Sequence, residues 1–471
     1  MRKFLFCVFN MSVFLICFSN IHAAPIQREL GLVKYNPEKA FQGYTLFAPK
    51  HDTKTYLIDM EGRLINSWKS LYEPGQTVFL LNDGNLIHTC FLGRGDRDKT
   101  LIVGGEGGRI EEYNWEGDLV WVLIYSTRTY AQHHDIEPMP NGNILLLCVE
   151  KRIKDECIAA GMRPESIKHD AIFPEYVAEI ERWGASGYEV VWRWHIWDHM
   201  VQDFDETKDN FGVVADHPEL LDANFHGKEA VPFWNHGNSV DYNPELDQIV
   251  ISVRLPNELW VIDHSTTSKG AKGHSGGKYG KGGDILYRWG NPSMYKAGDP
   301  VKDREFYHQH DAQWVPKGLP GEGNLLVFNN GEDGRGYSSV DEIVPPVDSM
   351  GGYLKEPGKA FGPDKIAWSY VAENPEDFYA EQISGCQRLP NGNTLITNGI
   401  YGVFFEVTPE NDIVWEYVNP ISKGGPLKQG DLIPVDQKDH ALTADFKVER
   451  YPLDYAGLKG RDLAPGEPLI K

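Results

Sequence analysis

Short apolar runs alternate with polar positions along most of the chain, and the same turn signals interrupt them again and again. In one pattern a turn opens a strand: Asn82-Asp-Gly-Asn85-Leu-Ile, Pro140-Asn-Gly-Asn143-Ile-Leu, Gly321-Glu-Gly-Asn324-Leu-Leu and Pro390-Asn-Gly-Asn393-Thr-Leu. Asn-Gly and Asp-Gly between apolar runs mark hairpins, because both residues tolerate positive φ. In the other pattern the strand ends on tryptophan: Gly62 to Trp68, Gly117 to Trp121, Gly187 to Trp192, Gly283 to Trp289, Asp364 to Trp368 and Asn411 to Trp415. Further alternating runs, such as Tyr176 to Ile180 and Phe404 to Val407, lie between them.

Each unit therefore reads as four strands. The Trp signature occurs six times at irregular intervals, which places insertions in loops. The expected fold is all-β: a six-bladed β-propeller with four-stranded blades, in one domain over 25–471. The blades fall at about 43–70 plus 444–451, 75–125, 133–195, 236–290, 308–370 and 382–418. The first unit has only three strands, so the leftover run Ala444 to Tyr451 is expected to complete it. Closure removes the exposed sheet edges that an open stack would present. A β-sandwich with insertions is the competing architecture, and six copies of one signature weigh against it. Helix is scarce: His217 to Ala223 reads as a short helical turn within the loop 198–233. The Gly- and Lys-rich run 269–283 reads as a flexible surface loop.

The N-terminus departs from this pattern. Arg2 and Lys3 precede an apolar run from Phe4 to Phe18, and Ala23 and Ala24 follow. This predicts a secretory signal peptide over 1–24 and an exported protein, periplasmic or secreted. No later run is apolar enough to span a bilayer. The formal charge of −22 excludes nucleic-acid binding through the general field. Of six cysteines, Cys7 and Cys17 fall in the leader. The spacing of Cys90, Cys148, Cys157 and Cys386 suggests neither a metal pair nor a disulfide framework.

Candidate chemistry concentrates on three successive inner strands: His133-His134-Asp, His236-Gly-Asn238-Ser and His308-Gln-His310-Asp. Aligned on their turns, His134 and His310 are equivalent, Asn238 stands opposite them, and His236 is level with His308. The sixth unit carries Gln382-Ile-Ser384 there, so the blade itself does not require histidine. Arg254 ends the otherwise apolar strand Gln248 to Val253, where it either pairs with an acid or cradles an anion. His308 and His310 on one strand face leave a metal open. Without metal, histidine and arginine suit an oxyanion and a nucleophilic or basic imidazole.

Trp234-Asn-His236-Gly-Asn238-Ser with Arg254, and Gln309-His310-Asp-Ala followed by Leu325 to Arg335, resemble the bacterial arylsulfate sulfotransferases. The resemblance spans about Gly43 to Tyr451. It implies sulfuryl transfer from a phenolic sulfate ester to a phenol, with no nucleotide donor, cofactor or metal. It implies that His310 is transiently sulfated. His236, Arg254 and His134 would complete the catalytic set, and His133, Asn238, His308 and Arg335 would bind substrate. Phe233, Trp234 and Tyr307 are candidates to stack on the aryl ring. The expected partners are small molecules, with no nucleic acid and no membrane span, and a homo-oligomer stays open. The family's N-terminal β-sandwich has no counterpart before the first blade, and 198–233 and 336–362 also differ. Two other readings of a His/Arg channel remain: a propeller lyase or hydrolase acting on an acidic glycan, and a non-catalytic ligand-binding propeller.

Overall fold

The computed structural model describes residues 26–93, 101, 104–105, 107–167, 170–227, 233–332 and 334–470. The leader assigned to 1–24 lies outside these residues. Six antiparallel sheets form the blades of a propeller. From the axis outward, blade 1 is Glu449–Pro452, Gly43–Phe47, Lys54–Ile58 and Leu64–Lys69. Blade 2 is Pro74–Leu80, Leu86–Phe91, Gly108–Tyr113 and Leu119–Ile124. Blade 3 is Tyr130–Pro138, Ile144–Glu150, Glu175–Trp183 and Gly187–His195. Blade 4 is Gly237–Asn243, Gln248–Val253, Glu258–Asp263 and Tyr287–Trp289. Blade 5 is His310–Trp314, Leu325–Asn329, Ser339–Ile343 and Trp368–Tyr370. Blade 6 is Gly385–Arg388, Thr394–Asn398, Val403–Val407 and Ile413–Val418.

The two repeated patterns have distinct jobs. Each signature tryptophan sits on the fourth strand of its blade, counted from the axis, and donates its indole N–H to the next blade. Trp68 reaches Asn114 O at 2.8 Å, Trp121 reaches Gly187 O at 3.2 Å and Trp192 reaches Thr266 Oγ1 at 3.2 Å. Trp289 reaches Pro363 O at 3.0 Å, Trp368 reaches Pro409 O at 2.9 Å and Trp415 returns to Met60 O in blade 1 at 2.9 Å. The ring of indole bonds is closed. In the turn pattern the glycines hold left-handed φ of 81 to 89° (Gly84, Gly142, Gly323 and Gly392), which a Cβ would strain. The asparagine after each glycine donates to a glutamate on the third strand of its own blade: Asn85 to Glu112, Asn143 to Glu179, Asn324 to Glu342 and Asn393 to Glu406. A cation from the following blade meets the same glutamate: Arg182 on Glu112, His264 on Glu179, Arg388 on Glu342 and Arg450 on Glu406.

Five details differ from the expectation. Blade 6 gains a fifth, outermost strand, Gly31–Tyr35, paired antiparallel with Ile413–Val418. The N-terminal segment thus seals an edge, a role that its short run Gly-Leu-Val-Lys-Tyr does not advertise. The closing strand is confined to Glu449–Pro452. Residues 444–448 instead carry Phe446 and Lys447 to the axis. His217 to Ala223 is not helical: Leu221–Asp222 pairs in parallel with Met200–Val201, and the neighbouring 3-10 turn is Val214–Asp216. One helix, Lys154–Ala159, forms in blade 3's insertion. The run 269–283 is pinned rather than loose, with Ala271 fully buried and Trp194 Nε1 donating to Gly283 O at 2.6 Å. Cys90, Cys148, Cys157 and Cys386 are all buried free thiols.

Arg450, on the closing strand, and Glu406 are both fully buried. Removing one partner of such a pair strands a charge in a low-dielectric interior, at a cost of about 3–5 kcal/mol. Arg450→Ala is therefore expected to lose that much in urea unfolding. Pairing an Arg450→Met change with Glu406→Gln recovers most of it. An equal loss in the single and double variants would remove the pair from the closure.

Candidate active site

The inner strands of blades 3, 4 and 5 bring histidine to the axis. His134 lies within Tyr130–Pro138, His236 immediately precedes Gly237–Asn243, and His310 opens His310–Trp314. The His134 and His236 rings are 5.2 Å apart. Phe446 is buried between strands, with its ring 6.1 Å from His134 and 6.2 Å from His310. His134, His236 and His308 hold left-handed backbone, with φ of 50, 58 and 59°. Each such residue costs on the order of 1–3 kcal/mol, and it persists because the surrounding structure enforces it. The inner strands of blades 4 and 5 are bulged at this point, between Gly237 and Ser239 and between His310 and Gln313. His236 and His308, expected to be level with each other, share this conformation with His134, which was aligned with His310 instead.

His310 is oriented through Nδ1, which lies 2.7 Å from Asn330 Oδ1 and 3.1 Å from His308 O. Asn330 Nδ2 donates to Ala380 O and Ile383 O, so its oxygen must face the imidazole. Both neighbours of Nδ1 are acceptors. Nδ1 therefore carries the proton, and Nε2 keeps its lone pair.

Arg254 and His308 meet on a residue that the sequence reading did not single out. Both approach Glu332 Oε2, His308 Nδ1 at 2.9 Å and Arg254 through Nη2. The Arg254 amide donates to His236 O at 3.0 Å, so the cation is tied to the histidine strand. Burial pulls the Glu332 carboxyl up, but His308 and Arg254 outweigh it and hold it at about 2. Arg254 is thus paired rather than bare.

The other predicted residues divide. His133 stands behind His134, with their Nδ1 atoms 2.8 Å apart, and is buried. Asn238 is fully buried; its Nδ2 donates to Gln309 O at 2.7 Å, bracing the backbone before His310, while its Oδ1 has no partner. Arg335 lies over Tyr337 and Tyr307, 4.2 and 5.9 Å from their ring centres. Phe233 is 5.7 Å from His236. Trp234 belongs to the core instead, packed on Phe225 and Trp197. Tyr307 lies between Arg304 and Arg335. His308 and His310 do not share a strand face, because His308 lies before the strand with left-handed φ. Among the described residues, three metal-ligating atoms converge at His88, Cys90 and Glu111 and at His199, His274 and Asp284, in neither case at the axis.

The aspartates after His134 and His310 have a structural role. Lys447 Nζ lies 3.3 Å from Asp135 Oδ2 and 3.0 Å from Asp311 Oδ1, and all three side chains are buried. Asp135 also accepts from Thr77 Oγ1 of blade 2 and Val240 N of blade 4, and Asp311 accepts from Cys386 N of blade 6. Gly104 and Gly105 close over the rings. An ideal Cβ on Gly105 would lie 1.9 Å from His134 Cε1, and one on Gly104 2.9 Å from His236 Cε1. Phe446, Lys447, Asn330, Glu332 and these glycines were not predicted. The run Gly104-Gly-Glu-Gly-Gly108 was the one available signal of close backbone approach.

Burial pushes the His133 and His310 imidazoles down to about 3, and those of His134 and His236 well below the ordinary range. The Arg254 charge adds to the effect at His236 and His310, and the neighbouring histidines add to it at His134. At neutral pH the ring presents uncharged imidazoles.

A family model described as Arylsulfotransferase (ASST) matches residues 31–343, from the outermost strand of blade 6 to the third strand of blade 5. The chain belongs to the arylsulfotransferase family. The matched span holds every histidine of the ring, Arg254, Asn330 and Glu332; Phe446 and Lys447 lie beyond it. No curated protein matches the chain. Among solved structures, a protein of unknown function from Bacteroides caccae is 10% identical with a TM-score of 0.44, covering 87% of this chain and 98% of that one. A virginiamycin B lyase from Staphylococcus aureus is 11% identical with a TM-score of 0.36, covering 84% and 89%. At this level the likeness bears on neither activity nor substrate.

Two outcomes are expected. In the unfolded chain the histidines take up protons below about pH 6.5, while the folded ones stay neutral to about pH 3. Stability should therefore fall as pH drops through that window, by about 1.4 kcal/mol per pH unit for each such histidine. Urea unfolding of wild type and His310→Gln at several pH values reads the slope, and an unchanged slope in the variant would contradict it. Lys447→Met leaves Asp135 and Asp311 without their cation. It should cost about 3–5 kcal/mol, and a neutral outcome in thermal unfolding would demote the lysine to a spectator.

Proposed function

We propose that this arylsulfotransferase moves a sulfuryl group from a phenolic sulfate ester to a phenol through a sulfated His310. The observation that carries this reading is the fixed tautomer of His310. Asn330 Oδ1 and His308 O hold the proton on Nδ1, and burial keeps the ring neutral, so Nε2 is a ready nucleophile. Attack by Nε2 on sulfur forms the N–S bond as the S–O(aryl) bond breaks, and the phenolate leaves. In the second half an acceptor phenol attacks sulfur, the N–S bond breaks and His310 returns to its starting state.

The remaining groups serve charge and protons. An aryl sulfate is an anion entering among neutral imidazoles beside Arg254, where it lowers the cost of protonating one of them. His134 or His236, so charged, protonates a leaving phenolate whose parent phenol has a pKa of about 10. The same base then takes the acceptor's proton. Arg254 and His308 face the sulfate oxygens and are held in place by Glu332. Phe446 and Phe233 supply apolar walls for the aryl ring. On the strength of the leader-like N-terminus, we propose that donor and acceptor are met outside the cytoplasm.

Mixing the protein with an aryl sulfate and no acceptor is expected to add one SO3 to the intact mass, localised to the His310 peptide. His310→Ala should abolish the adduct and lower turnover by on the order of 10³-fold or more. Asn330→Ala should keep binding but lose about 10²-fold in kcat, because the imidazole is no longer oriented. Full activity in His310→Ala, or an adduct on another histidine, would overturn the assignment.

A further inference from the structure

Of the two clusters of metal-ligating side chains that lie off the axis among the described residues, one joins two insertions. His199 follows the 3-10 turn Ile196–Asp198 at the end of blade 3, at the start of the insertion 198–233. His274 sits in the run 269–283, the insertion between the third and outermost strands of blade 4. Asp284 ends that insertion. His199 Nδ1 lies 2.8 Å, and His274 Nδ1 2.7 Å, from the same Asp284 Oδ1. All three ligand atoms fall within 4.8 Å of one another.

We propose that His199, His274 and Asp284 form a binding site for a borderline divalent cation of the zinc class, which staples the two insertions together. The argument begins with His199, whose side chain is 0% exposed. Its Nε2 lies 2.8 Å from Ala271 O, a pure acceptor, so Nε2 carries a proton. The neutral ring then aims a bare Nδ1 lone pair at a carboxylate oxygen, which also only accepts. Two lone pairs at hydrogen-bond distance need a cation between them, either a proton or a metal ion. The second histidine on the same oxygen distinguishes this cluster from a simple His–Asp pair, since imidazole, imidazole and carboxylate are a suitable ligand set for zinc.

The outer surroundings have the form that metal-binding histidines require. A backbone carbonyl backs the non-ligating nitrogen and fixes the tautomer. The Trp194 ring stacks on His199, with centroids 5.9 Å apart and planes 8° apart. Gly283 leaves no slack, since an ideal Cβ there would lie 2.0 Å from Ala271 O and 2.7 Å from His199 Nε2. His199 is therefore held rigidly, while the His274 side chain is 59% exposed and little hemmed in by packing. Zinc–ligand bonds of about 2.0–2.2 Å in a tetrahedron separate neighbouring ligands by roughly 3.3 Å, so the Asp284 carboxylate must draw back slightly from His199 and His274 must shift with it. A cavity of about 620 Å³, lined among others by His217, Lys208 and His274, opens beside the cluster.

The test uses untagged full-length protein stripped with a chelator and then titrated with Zn2+ by calorimetry, with Co2+ absorption as a second readout. Wild type should bind one ion at this site, and His310→Ala should bind it equally well. His274→Ala, whose residue is exposed and whose fold should survive, and Asp284→Asn should each weaken binding by more than the roughly 10–100-fold that loss of an outer partner costs. Zn2+ should slow proteolysis within 269–283 in wild type and not in His274→Ala. Equal zinc binding by wild type and His274→Ala would place the ion elsewhere. No zinc binding by wild type would show that His199 and Asp284 share only a proton. Either result overturns the proposal.

Discussion

Lys447 is the point on which the centre of the molecule turns. Its buried ammonium lies against Asp135 and Asp311, each of which directly follows a histidine of the ring. Phe446, one residue earlier, packs on those same two histidines. A single dipeptide near the C-terminus therefore spans the channel and sets the spacing of His134 and His310. Desolvating an ammonium and two carboxylates is expensive, and the arrangement holds because each partner also accepts from other blades. Thr77, Val240 and Cys386 extend it to blades 2, 4 and 6. The His-Asp pairing in the sequence thus joins a ring histidine to a structural strut.

Around that centre the blades are tied in two concentric layers, and both were visible as repeats. The outer layer is the ring of indole bonds from one blade to the next. The middle layer is a glutamate on a third strand, met by the turn asparagine of its own blade and by a cation of the following one. These explain why the Trp and Asn-Gly-Asn signatures recur while their spacing does not. Each signature satisfies a contact internal to a blade or to one junction, so loops between them can lengthen freely. Blade number, strand count and ring closure were legible for that reason. The added strand Gly31–Tyr35 was not, because an edge strand of five residues carries no turn signal and takes its partner from the far end of the chain.

The site was legible in part for the same reason. Alignment on the turns placed His134, His236 and His310 on adjoining inner strands, and the structure gathers their side chains. What alignment misses is any residue whose role depends on three-dimensional proximity alone. Glu332 and Asn330 lie in a loop after the second strand of blade 5, in a run rich in Asn and Gly that reads as a turn. Phe446 and Lys447 read as members of a strand, and only the path of 444–448 across the axis gives them another role. Trp234, two residues before His236, was a stacking candidate by proximity in the sequence alone, and its ring packs in the core on Phe225 and Trp197.

The electrostatics of the ring bear on how so acidic a protein can receive an anion. With a formal charge of −22, the long-range field repels an aryl sulfate, and the local site must supply the attraction. It does so without a standing excess of positive charge. The four imidazoles are neutral because burial penalises their charged forms, and Glu332 balances Arg254. The penalty is relieved when a sulfate arrives, since an anion in a low-dielectric pocket favours protonation of its neighbours and competes with Glu332 for Arg254. In the proposed transfer, cationic character is then created by the ligand's own charge, at the position where the leaving oxygen needs a proton. A permanently charged cluster would bind donor, product and bulk anions alike. A neutral ring braced by Lys447 and capped by an ion pair would distinguish them by what they induce.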